Sequence, residues 1–455
     1  MEIFDLSGNP IPEQPAPRRN VQHSAPRRQP VRNRQPVPQM RQNTQRRANV
    51  QARQGNAQVR QNSVQAQARR RNTPAKPKKK SIFDFSIPQK FDFSFFMIVV
   101  ILLAFGLIML FSASYAAAKD QYDNSFYYIN RQLIFAAIGF GAMIAISFID
   151  YHLYANRAIL NIAVMVSVGL MLLVPIMGIT SGGAERWIEI FGIQFQPSEI
   201  LKIITIIVIA EYMQRNYDKR GDFWHGFVPL MVRVVISCLL VIMQPHLSCT
   251  VIILVTSICM LTIGGTKWSH LALIGAALVV GALLVVKVFP ALGFDYVTAR
   301  LLSWENPEAD IQGDTYQTFQ SLVTIGSGGM FGLGLGNSRQ KYGFLPVTQN
   351  DFIFSVICEE LGFVGAVAVI LLFVVFLFRG LYIASAAPDK FGMLLCAGIV
   401  IHLTIQAFLN IAVVSNAIPN TGISLPFISY GGTALCLQLA EMGVVLNISR
   451  KAAMD

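Results

Sequence analysis

Charged side chains are scarce in this chain. Only 14% of the 455 residues are charged, whereas 53% are hydrophobic, and the mean hydropathy is +0.48. This shortage excludes an ordinary water-soluble domain, because such domains carry about 25% charged residues. Uncharged stretches of about twenty residues, the length that a helix needs to cross a bilayer, recur along the chain. The sequence therefore predicts an all-α, polytopic membrane protein.

Three common signatures are also missing. No apolar segment follows the N-terminal charges before Phe95, so the N-terminus does not resemble a secretory signal peptide. The glycine-rich run 326–336 has no Walker lysine, so it predicts a flexible or re-entrant segment at the membrane surface and not a phosphate cradle. The six cysteines lack the CxxC spacing of a metal or redox site, which makes them small packing residues: Cys238, Cys249, Cys259, Cys358, Cys396 and Cys436.

Positive charge is concentrated in the N-terminal tail. Residues 1–80 hold 14 Arg and 4 Lys against three acids, a net charge of +15, whereas the rest of the chain has 19 bases and 22 acids. The tail is nearly free of aromatic residues, so it has too little apolar surface to offset the entropy of folding. We predict residues 1–90 to be a disordered basic cytoplasmic tail, held near anionic lipid head groups by charge. Docking to a cytoplasmic partner is the alternative, and nucleic-acid binding is disfavoured.

Residues 91–455 are predicted to form a membrane domain of ten helices. Ten spans place the Lys and Arg residues of the tail and of the short loops on one side, so both termini are predicted to be cytoplasmic. The large loop 290–349, between the seventh and eighth spans, and the shorter loop 179–196 then lie outside. The ten spans cover residues 95–118, 132–149, 158–178, 197–213, 226–245, 247–264, 269–289, 350–378, 391–415 and 426–448.

Ionisable residues within the spans point to function, because a charge in hydrocarbon is costly. Glu199 and Lys202 lie three residues apart on one face of the fourth span, near its outer end. They either neutralise each other or form a site that grips an anion. For Glu359 and Glu360 in the eighth span, a buried hydrogen-bonded brace is favoured. Three further polar residues line one face of the ninth span and are expected to bond to neighbouring helices: His402, Gln406 and Asn410.

The outer loop 290–349 is the largest polar segment outside the tail. It combines several acids with the glycine-rich run and the two bases Arg339 and Lys341. Such a combination suits a membrane enzyme that acts on a polar head group. Any of the acids could serve as a general base, and the residues alone leave the choice open: Asp295, Glu305, Glu308, Asp310 and Asp314.

Six strings, in order along the chain, carry a family resemblance. The chain resembles the SEDS family of membrane peptidoglycan polymerases, and its FtsW branch, which serves division, more than its RodA branch, which serves elongation. A sporulation member such as SpoVE is similar as well. The strings are GLIMLFSAS at 106–114, GAERW at 183–187, FQPSEILK at 195–202, LGNSRQKYGFLP at 335–346, NDFIFSVICEELG at 350–362 and TGISLPFISYGGT at 421–433.

The resemblance implies a peptidoglycan glycosyltransferase that polymerises lipid II outside the membrane. The GlcNAc 4-hydroxyl of one lipid II attacks the MurNAc anomeric carbon of the growing chain, and undecaprenyl pyrophosphate leaves with inversion. Asp310 matches the acid expected to act as the base, although Ile311 stands where most relatives have proline. Arg186 and Lys202 match the cations expected to neutralise the pyrophosphate. The other substrate-binding residues that it indicates are Gln196, Glu199, Gln320, Lys341 and Glu360.

Cofactors and partners follow from the same resemblance. No metal-ligand spacing occurs in the outer loop, so no cofactor is assigned, and a divalent cation, Mg²⁺ or Mn²⁺, held by loop acids remains an alternative. The implied partners are a class B penicillin-binding transpeptidase, whose single helix would pack on the eighth and ninth spans, and other divisome proteins at the septum of the cytoplasmic membrane. The competing functions are a lipid II flippase and a sporulation- or elongation-specific polymerase. No internal repeat typical of a transporter is visible.

One departure from the family concerns His246. Relatives commonly have an acid at this position, in the string QPDLGT where this chain reads QPHLSCT at 244–250. The role of that acid cannot be transferred to an imidazole. His246 is expected to be either a neutral hydrogen-bonding substitute or a pH-sensitive one.

Overall fold

A computed structural model describes residues 91–181, 184–190, 192–244, 246–291, 303–309, 313 and 315–452. These residues belong to one compact unit that spans Lys80–Asp455. The predicted tail, residues 1–90, and the proposed base Asp310 lie outside the described residues, so the predictions made for them stay predictions.

Ten long helices overlap the ten predicted spans. Seven of the described helices are long and apolar enough to cross a membrane, counting α5 together with the π-turn Phe223–Phe227 that precedes it. The all-α membrane fold is confirmed, whereas α4, α6 and α7 stay predicted spans. The long helices are α1 (Phe93–Tyr122), α2 (Tyr127–Ser147), α3 (Arg157–Met177), α4 (Pro197–Arg215), α5 (Val228–Ile242), α6 (Leu247–Ile263), α7 (Trp268–Ala291), α9 (Ile353–Ser385), α10 (Lys390–Val414) and α11 (Gly432–Lys451), with the shorter α8 (Tyr316–Ser327) between α7 and α9.

The connection between α3 and α4 forms a small sheet, which the sequence analysis treated as a loop. Strands β1 (Ile179–Ser181), β2 (Ala184–Ile190) and β3 (Ile193–Phe195) pair antiparallel in the order β1-β2-β3. Only the last three residues of β2, Ile188 to Ile190, alternate between apolar and polar, and Gly192 supplies the positive φ of 75° that the turn to β3 requires. Pro197 then begins α4 at the first turn, where a missing N–H costs nothing.

Helix α10 lies at the centre of the bundle. Its most apolar window is 78% buried within the protein, against 28% for α9. It packs on α4, α6, α9 and α11, while α11 packs along α2 and α1 contacts both α2 and α9. Polar side chains on α10 are therefore enclosed by protein and not by lipid.

The last helix begins later than the sequence predicts. The tenth span was placed at 426–448, whereas α11 begins at Gly432. Residues 415–431 instead form a non-helical segment that buries Ile423, Leu425 and Phe427. Backbone without helix is tolerated at membrane depth only where protein groups satisfy it. Here the Gln438 Oε1 accepts from the Phe427 N–H at 2.9 Å.

Candidate active site

The bundle has two ends that differ in their connections. At the loop end lie the β-sheet, the described parts of 303–352 and the segment 415–431, together with the starts of α4, α6, α9 and α11. At the tail end the chain enters α1 and leaves α11. Every predicted site residue in the described part of the chain belongs to the loop end.

The first polar cluster, here the α4 cluster, consists of Glu199, Lys202 and Gln406. Lys202 Nζ lies 2.9 Å from Glu199 Oε1 and donates to Gln406 Oε1 at 2.8 Å. The side chain of Lys202 is 3% exposed and that of Glu199 is 14% exposed. The three-residue spacing on α4 brings the two charges together. The carboxylate therefore keeps an opening toward the surface, whereas the ammonium is enclosed.

His246 gives a measure of the charge around the α4 cluster. It precedes α6, and its Nδ1 accepts from the Cys249 N–H at 3.4 Å, which caps the helix. Burial, followed by the charges of Arg186 and Lys202, lowers the pKa of His246 to about 3. The imidazole is thus neutral at physiological pH and acts as a hydrogen-bond acceptor. Burial is the larger cause of the shift, and Arg186 and Lys202 add positive charge near this imidazole.

Polar residues of α10 hold the segment 415–431 against this cluster. Gln406 Nε2 donates to the Ser424 carbonyl at 3.1 Å. One turn further, Asn410 Nδ2 donates to the carbonyls of Ile423 at 2.6 Å and of Asp351 at 2.7 Å. The polar face of α10 therefore bonds mostly to non-helical backbone, which fixes the shape of the loop end.

The second cluster, here the α9 cluster, is centred on Glu360. Its carboxylate lies 3.0 Å from Lys341 Nζ and accepts from Ser112 Oγ at 2.7 Å and from the Ser338 N–H at 3.3 Å. Lys341 also donates to the Gly336 carbonyl at 2.6 Å. The side chains of Glu360 and Lys341 are 0% and 3% exposed. Each charge is fully paired and enclosed.

The glycine-rich segment packs into a break of α9. At Gly362 the helix has a positive φ of 68°, and the carbonyls of Glu359 and Glu360 accept from the N–H groups of Leu333 at 2.9 Å and Gly334 at 3.0 Å. A Cβ on Gly332 would approach the Glu360 carbonyl oxygen to 2.1 Å. Glycine is required for this close approach. Gly332 and its neighbours are thus closely packed against α9, where the sequence predicts a flexible or re-entrant segment.

The two flanks of Asp310 are tied to the loop end. Upstream, Trp304 Nε1 donates to the Asn416 carbonyl and Asn416 Nδ2 donates back to the Trp304 carbonyl, both at 3.1 Å. Downstream, Tyr316 Oη donates to the Phe344 carbonyl at 2.6 Å, and Ser321 Oγ donates to the Val414 carbonyl at 2.7 Å.

The remaining predicted residues are more open. Arg186, Gln196 and Gln320 are half-buried on β2, before α4 and on α8, respectively, and Glu305 and Glu308 are exposed. Among the described residues no group of three His, Cys, Asp or Glu side chains could hold a metal ion. The described part of the loop therefore supplies no complete site for a divalent cation.

Two bracing residues were missed by the sequence reasoning. Ser112 belongs to the α9 cluster, and Gln132 on α2 donates to the Ser429 carbonyl and accepts from the Gly432 N–H, both at 3.2 Å. Gln132 is a lone amide near the start of an apolar span, and such a residue needs a protein partner. The sequence therefore contains a signal for Gln132. It contains none for Ser112, because a single serine is common in a membrane helix.

With this geometry established, comparison with known proteins assigns the family. The family model for FtsW, RodA and SpoVE proteins, described as cell cycle proteins, matches residues 93–454. The chain belongs to the SEDS family. It is 38% identical over 359 residues to "Stage V sporulation protein E" of Bacillus subtilis (strain 168), covering 79% of this chain and 97% of that protein.

Other members of the SEDS family are similar over the same region. A "Probable peptidoglycan glycosyltransferase FtsW" of Geobacter sp. (strain M18) is 36% identical over 361 residues, which cover 79% of this chain and 97% of that protein. A solved chain described as "Structural coordination of polymerization and crosslinking by a peptidoglycan synthase complex" matches with a TM-score of 0.65 and 25% identity, covering 80% of this chain and 99% of that chain. RodA of Thermus thermophilus, at a TM-score of 0.56 and 24% identity over 80% of this chain and 98% of its own, has the same fold.

Proposed function

We propose that this SEDS protein is a peptidoglycan glycosyltransferase that polymerises lipid II into glycan strands at the outer face of the cytoplasmic membrane. The observation that carries the proposal is the α4 cluster with its buried Lys202, whose charge acts on His246 together with that of Arg186, at the loop end of a chain whose FtsW relatives are named for this activity. A cationic site at membrane depth suits a lipid-linked pyrophosphate.

The leaving group is the pyrophosphate, and its developing charge needs stabilisation more than it needs a proton. Lys202 and Arg186 supply positive charge at the start of α4 and on β2. Lys202 Nζ contacts both Glu199 and Gln406, so it can exchange one of these contacts for a phosphate oxygen and keep the other. An ammonium held in a largely water-excluded place acts more strongly than the same charge in water. Gln196, at the start of α4, and Gln320, on α8, are proposed to contact the sugars.

The nucleophile is a sugar hydroxyl, which needs a general base. We assign that role to Asp310, because a positioned carboxylate that accepts the proton as the bond forms contributes about 10²- to 10⁴-fold. Support comes from its flanks, since Trp304 and Tyr316 are both bonded to the loop end. A divalent cation is not required by this scheme. If one acts, its ligands include acids beyond the described residues, since none of the described groups is complete.

Orientation and partners are part of the proposal. Both termini are placed in the cytoplasm, which agrees with the cations at the tail end. The partner is a class B penicillin-binding transpeptidase whose helix packs on α9 and α10, and α9 offers apolar side chains such as Phe363, Leu371 and Phe378. Other divisome proteins and the septum follow from the FtsW resemblance. A sporulation role is the alternative that the SpoVE similarity keeps open, and an elongation role is a further one.

A lipid II flippase is the second candidate function, and one observation favours it. Below Lys202 a cavity lined by Thr205, Thr256, Ser257 and His402 continues toward the bundle centre. His402 Nδ1 lies 3.3 Å from Glu441 Oε2, and both side chains are buried. Buried polar groups near the bilayer centre are typical of transporters. Apart from Lys202, which also lines this cavity, its residues have no role in the proposed catalysis.

The deciding experiment separates these functions. The purified protein is reconstituted with its transpeptidase partner and labelled lipid II, and Asp310→Asn is compared with Glu308→Gln, a change at an exposed acid of the same loop. We expect Asp310→Asn to abolish polymer and Glu308→Gln to retain it. Normal polymer from folded Asp310→Asn would refute the assignment of the base. Lipid flipping without any polymer from the wild type would establish the transporter instead.

A further inference from the structure

A pocket at the tail end is not used by the proposed reaction. It lies between the end of α4, the π-turn and the end of α6, and its cavity volume is ≈ 20 Å³. Its lining combines the apolar side chains of Met213, Phe227, Leu230 and Leu261 with the polar side chains of Tyr212, Asn216 and Thr266, and Arg220 lies at its rim. A small pocket that combines apolar side chains with a cation at its rim has the chemistry of a lipid-binding site.

The rim carries more positive charge than its neighbours neutralise. Lys219, Arg220, Lys267 and Lys390 are all exposed, and none of them forms a salt bridge with a carboxylate in the described part of the chain. Four other tail-end cations do have such partners: Arg157, Arg215, Arg379 and Lys451. Of the two nearby acids, Asp218 is exposed and Asp222 lies 2.8 Å from the imidazole of His225.

The cations are also arranged close together. The side chain of Lys267 lies over Gly221, and that of Arg220 lies over Gly265, so the two interleave between α4 and α7. Arg220 and Lys390 both contact the ring of Tyr217, at 3.9 Å and 2.9 Å from its centroid. These cations lower the pKa of Tyr217, with Lys390 as the larger cause. An anion placed at the rim would meet at least three positive charges.

Two exposed tryptophans fix the depth of this region. Trp224, in the π-turn, is 71% exposed, and Trp268, at the start of α7, is 79% exposed. Tryptophan concentrates at the level of the lipid head groups. Since Trp268 directly follows Lys267 and Trp224 follows Arg220 by four residues, the rim cations lie at the depth of the lipid phosphates.

We propose that this pocket binds one anionic phospholipid of the leaflet at the tail end, with the phosphate on Arg220 and Lys267 and the start of an acyl chain on Met213 and Leu261. The +15 tail of the same chain is not the occupant, because its charge has the same sign as the rim. In the proposed orientation this is the cytoplasmic leaflet, which contains the anionic lipids that attract basic residues.

The test uses the full-length protein in phosphatidylcholine vesicles that contain photoactivatable phosphatidylglycerol, with the labelled peptides mapped by mass spectrometry. We expect labelling within 212–230 and 261–268. The lipid fraction for half-maximal labelling should rise on the order of 30-fold in Arg220→Gln/Lys267→Gln, about fivefold for each cation removed. Arg157→Gln/Lys451→Gln removes the same charge from two salt-bridged cations at the same end and should change little.

Three results would overturn the proposal. Equal labelling by photoactivatable phosphatidylcholine would show that the pocket does not select anionic lipid. Labelling unchanged in Arg220→Gln/Lys267→Gln, with the variant folded, would show that the rim cations do not hold the phosphate. Loss of labelling on addition of inorganic phosphate at constant ionic strength would identify a site for a soluble anion. All three outcomes are independent of whether Asp310 is the base.

Discussion

Two glutamate–lysine pairs lie at the loop end, at nearly equal separations of 2.9 Å for Glu199–Lys202 and 3.0 Å for Glu360–Lys341. The first pair lies within one helix and keeps a carboxylate that is 14% exposed. The second joins α9 to the loop before it and is almost fully enclosed. We call Glu199–Lys202 the open pair, because its carboxylate is partly exposed, and Glu360–Lys341 the closed pair, because both of its side chains are enclosed.

The difference lies in the neighbours and not in the pairs themselves. Glu360 also accepts from Ser112 and Ser338, and Lys341 also donates to a glycine carbonyl, so every charge has its partners within the protein. Such a pair holds two segments together, and this favours bracing over substrate binding for Lys341 and Glu360. Lys202 shares its charge with one carboxylate and one amide, and a phosphate could replace either. The open pair is therefore the better candidate for an anion site.

The closed pair predicts the largest loss of stability. Lys341→Met would leave the carboxylate of Glu360, 0% exposed, without its counter-ion. Breaking a buried pair in this way costs about 3–5 kcal/mol of unfolding free energy. Denaturant unfolding in detergent measures it. Arg339→Met is the matched control, because this neighbouring cation is exposed and should lose little. Equal losses in the two variants would contradict the bracing role.

The glycine-rich segment predicts the next largest effect. Gly332→Ala would combine a positive φ of 77° with a 2.1 Å approach to the Glu360 carbonyl oxygen, at a cost of about 2–4 kcal/mol. Gly329→Ala separates the two causes, because Gly329 also has a positive φ, 53°, but a Cβ added there would meet no atom within 4 Å. That variant should lose only about 1–2 kcal/mol. A similar melting curve for both variants would show that the close packing on α9 does not matter.

The sequence predicts the helices of this fold far better than the contacts between them. Apolar runs of membrane length identify α1 and α10 directly, because lipid imposes that length. The sequence does not reveal the break at Gly362 or the late start of α11 at Gly432. At both places the freed backbone bonds to groups far along the chain: the N–H groups of Leu333 and Gly334 at the break, and the side chain of Gln132 at the start of α11. The small sheet was not predictable from alternation, because β2 reads AERWIEI and the two other strands have only three residues each.

For the site, the sequence indicated residue types and depth but not which pair is open. The spacing of Glu199 and Lys202 on one helix predicts their contact. Glu360 and Lys341 lie 19 residues apart, on α9 and in the loop before it, and no periodicity encodes their contact. The assignment of Asp310 depends on family resemblance, since five loop acids were otherwise equivalent.

The open pair predicts a loss of activity with little loss of stability. Lys202→Met should reduce the rate of lipid II polymerisation by roughly 10²-fold, the effect of removing one group that stabilises developing charge. Its fold should be less affected than that of Lys341→Met, because Glu199 can reach water. A polymerisation assay with the reconstituted complex measures the rate, and thermal unfolding measures the stability.

An exchanged pair tests whether Lys202 acts only through its salt bridge. Glu199→Lys/Lys202→Glu keeps the bridge and moves the cation by one turn toward the surface. If the bridge alone matters, this double variant regains activity that Lys202→Met lacks. If Lys202 holds the pyrophosphate, as we propose, the double variant stays inactive while its melting temperature returns toward that of the wild type.

His246 predicts the smallest effect, and it tests the positive potential beside the open pair. Its pKa is about 3 in the folded protein, against an ordinary value of 6.5 for histidine, so the unfolded chain takes up a proton first as the pH falls. The contribution of His246 to stability is therefore unchanged above pH 6.5 and declines between pH 6.5 and 3.

At pH 5 the decline amounts to about 2 kcal/mol. His246→Asn should lose less stability than the wild type between about pH 7 and pH 5, by that amount. Equal pH profiles for the wild type and His246→Asn would show that burial and the charges of Arg186 and Lys202 do not act on this imidazole.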